Sequence, residues 1–150
     1  MGDLYSQIIS GLHNPYVISG AALLLIALAD RYIIRRGCVK LLDVKKGESN
    51  KDYARFELSF QSSQRFIRSE LTYTVRDKEE PTTVIHGKDG SLDFSHKGLN
   101  REYLLVDKKL LHSGTWVVDV KVTTTGSRIN PFHKIFAIET HIKKEVEITL

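Results

Sequence analysis

The chain has little of what staples a fold covalently or builds a reaction centre. Among 150 residues there is one cysteine, Cys38, and one methionine, at position 1. A single cysteine excludes an intrachain disulfide and a multi-cysteine metal site, and a lone methionine offers no thioether set for copper(I). The six histidines (His13, His86, His96, His112, His133, His141) form no HxxxH, HxH or Cys-His pair, so they read as surface residues and not as ligands. No Gly-rich phosphate loop, GxSxG elbow or HExxH is present, and Asp89-Gly90 reads as a hairpin turn without the alternating acidic ligands of a calcium loop. No enzyme activity, cofactor or metal is therefore expected. Runs of one charge are also missing. From Gly37 onward 19 basic residues are interspersed with 16 acidic ones, which argues against a nucleic-acid partner. The net charge of +4 suits a weakly basic face beside anionic lipid.

Charge is absent altogether from residues 4 to 29, and that absence is informative. Tyr16 to Ile34 would make a helix of about 28 Å, close to the hydrocarbon thickness of a bilayer. Asn14 is a good N-cap and Pro15 suits the first helical position, where its missing N–H costs nothing. No Lys or Arg precedes the apolar run, as a cleaved secretory signal requires, and no polar face marks it as a soluble core helix. The expectation is an uncleaved single-pass transmembrane helix over residues 15–36. Before it, Leu4, Tyr5, Ile8, Ile9 and Leu12 recur at helical spacing, which suggests a short amphipathic segment over residues 1–14.

Ser19, Gly20, Ala21 and Ala22 are small enough to let another helix approach closely. Asp30 and Arg31 lie near the far end of the span, where a carboxylate is either solvated by arginines or held by another membrane subunit. These six residues are the candidate partner-binding set. Arg31, Arg35 and Arg36 form the membrane-interface set, able to snorkel to the headgroups. No Lys or Arg precedes Arg31, so all of them lie at or beyond the far end of the span, and the positive-inside rule puts the C-terminal part in the cytoplasm. Cys38, just beyond, reads as an inert thiol or as an acylation site.

From Tyr53 onward alternation with period two dominates. Ala54, Phe56, Leu58 and Phe60 share one face, as do Ile67, Leu71, Tyr73 and Val75. Trp116, Val118, Val120 and Val122 repeat the pattern most cleanly and place Trp116 in the core. The parity of Phe136, Ile138, Ile142, Val146, Ile148 and Leu150 runs so long that two strands, or a bulge near Lys144, are expected. Shorter strands are expected near 82–86, 91–95 and 102–107, with another at 39–45. Turn signals separate them, among them Lys88-Asp89-Gly90, Ser113-Gly114 and Gly126 to Pro131. Seven to nine short strands without a soluble helix mean a mainly β fold. The architecture expected is an immunoglobulin-like antiparallel β-sandwich over residues 53–150, preceded by one N-terminal transmembrane α-helix and by a juxtamembrane linker or first strand over 37–52.

Within "KKLLHSGTWVVDVKVTTTG", residues 108 to 126, the pattern Leu111, Gly114, Trp116, Val118, Val120 resembles that of FixH-like proteins. These also carry one N-terminal span and a sandwich with a Gly-x-Trp strand. The resemblance implies an accessory protein for assembly of a haem–copper cytochrome oxidase, with its domain outside the cytoplasm, whereas the flanking charges here favour the inside. The functional expectation is a noncatalytic single-pass subunit or assembly factor of a larger membrane complex. Its partners would be other membrane protein subunits and the lipid bilayer. The alternative is a membrane-tethered binding module for a soluble protein, peptide or anionic lipid.

Overall fold

The computed structural model describes residues 14–34, 38–63, 68–127, 129–133, 135 and 137–149. The amphipathic segment expected before Asn14, Arg35, Arg36, Ile67, Phe136 and Leu150 lie outside the described residues. Helix α1 (Pro15–Ala29) starts as its sequence dictates. The Asn14 side chain accepts from the Tyr16 N–H at 3.0 Å, and Pro15 occupies the first turn. After Ala29 the helix widens into a single π turn, Asp30–Ile34, which the hydrophobic pattern did not announce. Pro15–Ile34 together make a 20-residue helix long and apolar enough to cross a membrane. Of its side chains only Ala27 and Asp30 are buried against the rest of the chain.

Among the described residues eight strands follow: β1 (Val39–Lys46), β2 (Tyr53–Ser62), β3 (Ser69–Asp77), β4 (Val84–His86), β5 (Gly90–Ser91), β6 (Gly98–Asp107), β7 (Gly114–Thr124) and β8 (Ile138–Ile148). They form two antiparallel sheets, β1-β2-β6 and β4-β3-β7-β8, with β5 also pairing β3. β2, β3 and β7 alternate buried with more exposed residues because one face meets the other sheet while the other meets solvent. Phe56, Leu58, Phe60, Leu104 and Val106 of the first sheet meet Leu71, Val75, Trp116, Val118, Val120 and Val122 of the second in one continuous core. The immunoglobulin-like sandwich expected from the alternation is the observed architecture. Trp116 is fully buried, with its indole N–H donating to the His112 carbonyl at 3.0 Å.

The last apolar run is a single strand, not two. β8 pairs β7 from Ile138↔Thr124 to Ile148↔Gly114 without a register shift, so the expected break near Lys144 is absent. The irregularity lies instead in β1, between Leu41 and Asp43. There the bulge aims Asp43 at Lys144, and the ammonium donates to its carboxylate at 3.1 Å. Lys144 therefore keeps the core-side parity of β8 while holding its charge at the β1–β8 rim. That hydrogen bond holds the Asp43 carboxyl below its ordinary value, against the opposing effect of desolvation. The strand expected at 91–95 is also shorter, because Leu92–Ser95 closes into a turn with the Ser95 N–H on the Leu92 carbonyl.

The registers define the two ends of the sandwich. Val39, Ser62, Ser69, Gly98, Thr124 and Ile138 pair with one another at the end where the helix arrives. Lys46, Tyr53, Asp77, Asp107, Gly114 and Ile148 mark the far end.

Candidate functional site

The helix meets the sandwich through a buried carboxylate. Asp30 is 1% exposed, although it belongs to an otherwise apolar span. Its Oδ1 accepts from the Ser127 hydroxyl at 2.7 Å, and its Oδ2 accepts from the Asn130 side-chain amide at 3.1 Å. Ser127 and Asn130 lie in the loop between β7 and β8, so about 100 residues of sequence close into one polar joint. A buried carboxylate persists only where donors replace its water, and these two do so.

The loop is itself preorganised. The Ser127 hydroxyl accepts from the Asn130 N–H at 3.2 Å, and the Asn130 side-chain oxygen accepts from the Phe132 N–H at 2.9 Å, an Asx turn leading into Pro131. His133 donates from its ring Nδ1 to the Asn130 carbonyl at 2.9 Å. Beneath the loop, the N–H groups of Thr125 and Gly126 donate to the Arg68 carbonyl at the start of β3. The joint is thus tied to the helix-side end of the β3-β7-β8 sheet.

The sequence-predicted partner set does not converge on one surface. Ser19, Gly20, Ala21 and Ala22 are all exposed, but four consecutive residues cover a whole turn. Only Ser19 and Ala22 share a side, and the Ser19 hydroxyl donates to the Pro15 carbonyl within its own helix at 2.7 Å. Asp30 is turned to its own chain's loop, where Ser127 and Asn130 supply donors in cis; the sequence had offered solvation by arginines or contact with another subunit. Arg31 is half-buried beside it, with its guanidinium 5.9 Å from the Tyr32 ring centre. Cys38 is buried, and its thiol lies 3.3 Å from the Ile34 carbonyl. This placement closes the thiol to acylation in the described conformation.

Two other features could not be seen in the sequence. At the helix-side end, a groove of about 550 Å³ runs between β1 and β8, lined by Val39, Lys40, Gln61, Ser63, Ile138 and Thr140. At the far end, His112 donates from Nε2 to Asp77 at 2.7 Å and from Nδ1 to the Ser113 carbonyl at 3.1 Å. Acceptors on both ring nitrogens call for the doubly protonated imidazolium. The Ser113 carbonyl first, and Asp77 with it, raise the His112 pKa above its ordinary value. Desolvation pushes the Asp77 carboxyl up, but the Glu79 N–H and His112 outweigh it and leave its pKa lowered. The His112 ring also leans on Trp116 at 5.0 Å between centres, so the pair caps the core. Among the described residues, no three His, Cys, Asp or Glu side chains converge as a metal-binding group.

An apolar helix jointed to a β-sandwich is an arrangement, and its sequence relatives give it a family. Residues 16–150 match the model of LydB, described as LydA-holin antagonist. The chain belongs to the LydB family. The match begins inside the apolar helix and includes both Asp30 and its loop partners. The family is a different one from the FixH-like proteins that the Gly-x-Trp strand resembles. No curated protein matches the sequence. Similar solved structures include the C-terminal domain of wzt, at 9% identity and a TM-score of 0.46, with 76% of each chain covered. A solution structure of an Arabidopsis thaliana protein, at 13% identity and a TM-score of 0.46, covers 83% of this chain and 95% of its own.

Proposed function

We propose that this LydB-family chain is a noncatalytic, single-pass membrane protein that restrains a holin, a membrane-permeabilising protein, through contacts of its span and sandwich. The observation that carries this reading is membership of a holin-antagonist family over residues that include both span and domain. The exposed, uncharged surface of α1 supports it, because a helix with so little of itself buried in its own chain leaves that surface for lipid and neighbouring helices. Ser19 and Ala22 mark the side where a second helix approaches most closely. The Asp30 joint would pass a change in the span's packing to the sandwich, since helix end and loop move together.

The same reading puts the sandwich in the cytoplasm, with Arg31, Arg35 and Arg36 at the headgroups, from the charge asymmetry alone. Leu110→Cys, at the far end, in a Cys38→Ser background tests this directly. It should resist an impermeant thiol reagent in intact cells and react after lysis; labelling in intact cells would reverse the orientation.

The functional test is coexpression with the LydA-type holin of the same source. Delayed dye entry and copurification in mild detergent are expected, and unchanged permeabilisation without copurification would overturn the proposal. A tethered module for a soluble peptide is the second reading, favoured by a cleft of about 190 Å³ between β6 and residues 88–91. It predicts a chain that purifies free of membrane partners.

A further inference from the structure

We propose that the β7–β8 loop, together with the turn before β6, is a membrane-inserting rim, so that the sandwich rests on the bilayer instead of hanging from its span by a tether. The inference rests on the reading that α1 crosses the membrane, but not on the identity of any protein partner.

The depth of Asp30 carries the argument. Pro15–Ile34 is 20 residues, which gives about 30 Å of helix, and the hydrocarbon core takes about 30 Å. The described part of the span therefore just matches that thickness. Asp30 lies four residues before its end, roughly one helical turn inside the boundary. Ser127 and Asn130 bond that carboxylate directly, so their loop must descend to the same depth. A polar loop placed there would lose water without compensation. Among the described residues of this loop, Ser127 and Asn130 bond Asp30 and the loop's own backbone, and apolar side chains face outward. Ile129, Phe132 and Ile135 are 52%, 42% and 76% exposed.

A second segment points the same way. Leu92–Ser95 is held at the start of β3, where the Ser69 N–H donates to Asp93 at 3.2 Å and the Leu92 N–H to the Ser69 carbonyl. Ser69 pairs Thr124, the last residue of β7, so this turn shares the membrane-side end with the loop. It exposes Phe94 at 84%, the most exposed phenylalanine among the described residues. Exposed Arg68 and Lys97 flank these side chains. Aromatic and aliphatic tips bordered by cations suit the boundary between acyl chains and anionic headgroups. A solvent-facing loop end would have no use for four such side chains.

The test uses the full chain in nanodiscs of phosphatidylcholine with phosphatidylglycerol. In a Cys38→Ser background, single cysteines are placed at Phe94, Phe132 or Ile135 and labelled with an environment-sensitive fluorophore. Leu24→Cys serves as the reference in the span and Leu110→Cys as the reference at the far end. The three rim labels should emit blue-shifted relative to Leu110→Cys and lose intensity when the lipids carry nitroxides near the headgroup, whereas Leu24→Cys, about 15 Å from either boundary, should be quenched by nitroxides near the end of the acyl chain. The substituted side chains are exposed, so the fold should survive, and an unchanged melting curve would verify it. If Leu24→Cys is quenched while all three rim labels emit as in water, the rim proposal is wrong and the span reading stands. If Leu24→Cys also escapes quenching, the span reading itself fails and the rim proposal falls with it. Rim labels that are shielded only when a holin is coexpressed would assign the surface to protein contact and overturn the lipid assignment.

Discussion

Replacing Asp30 by alanine removes the one carboxylate that an apolar span should be better without, so helix preference alone predicts a gain. The structure predicts a loss. The Asp30 bonds to Ser127 and Asn130 end, and the Ser127 hydroxyl and the Asn130 amide are left in a pocket where Asn130 is only 2% exposed. An orphaned buried donor costs about 1–3 kcal/mol. Because β7 and β8 stay paired without the loop, the cost should fall on local opening of the loop and leave global melting almost unchanged. Hydrogen exchange in nanodiscs reads this at the amides of Ile129 and Asn130, which donate to the Ser127 hydroxyl, and at His133, which donates to the Asn130 carbonyl. At about 1.4 kcal/mol per decade, exchange should quicken roughly 5- to 100-fold. Asp30→Asn keeps an acceptor for Ser127 and should show a smaller effect. A cycle of Asp30→Ala with Asn130→Ala should yield a coupling of about 1–2 kcal/mol, as expected of residues in direct contact. Unchanged exchange in Asp30→Ala, or a coupling near zero, would refute the joint.

Three further outcomes follow from the sandwich. Trp116→Ala should cost about 3–5 kcal/mol, read by urea denaturation, whereas Asp119→Ala on the same strand's outer side should stay within about 0.5 kcal/mol. Equal losses would mean that β7 is covered on both faces. The Tyr73 hydroxyl donates to the Leu105 carbonyl at 2.6 Å and accepts from its N–H at 3.0 Å, so it satisfies the β6 edge from the opposite sheet. Tyr73→Phe should cost about 1–3 kcal/mol, and a neutral result would show that water replaces the phenol. Finally, stability should depend on pH through His112 and Asp77. The raised His112 pKa stabilises fully below the ordinary histidine value of 6.5, with loss as pH climbs through the raised folded value. The lowered Asp77 pKa stabilises fully above 3.8, with loss as pH falls through the folded value. Melting of His112→Gln should therefore differ most from the parent between these limits and converge with it at alkaline pH; a constant difference at every pH would remove the charge from the explanation.

Much of this fold was written locally. Asn14-Pro15 sets the helix start through capping geometry, and the uncharged run to Ala29 sets its length, because both are properties of neighbouring residues. Alternation placed Phe56, Phe60, Trp116 and Val118 on their core faces for the same reason, since a strand's side chains change sides at every residue. What the sequence alone could not decide was every relation across a long loop. Lys144 on the core parity looked like a broken strand until the β1 bulge brought Asp43 to it from the other sheet. Tyr73 looked like an ordinary core residue, and its bond to the β6 edge exists only because the two sheets stack. Asp30 looked like a charge either solvated by arginines at the headgroups or held by another subunit. Its donors, Ser127 and Asn130, read as turn residues, and no spacing rule connects them to a helix about a hundred positions earlier. Periodicity reports which way a side chain points, but which groups meet depends on loop closure and sheet pairing, and these belong to the folded chain as a whole.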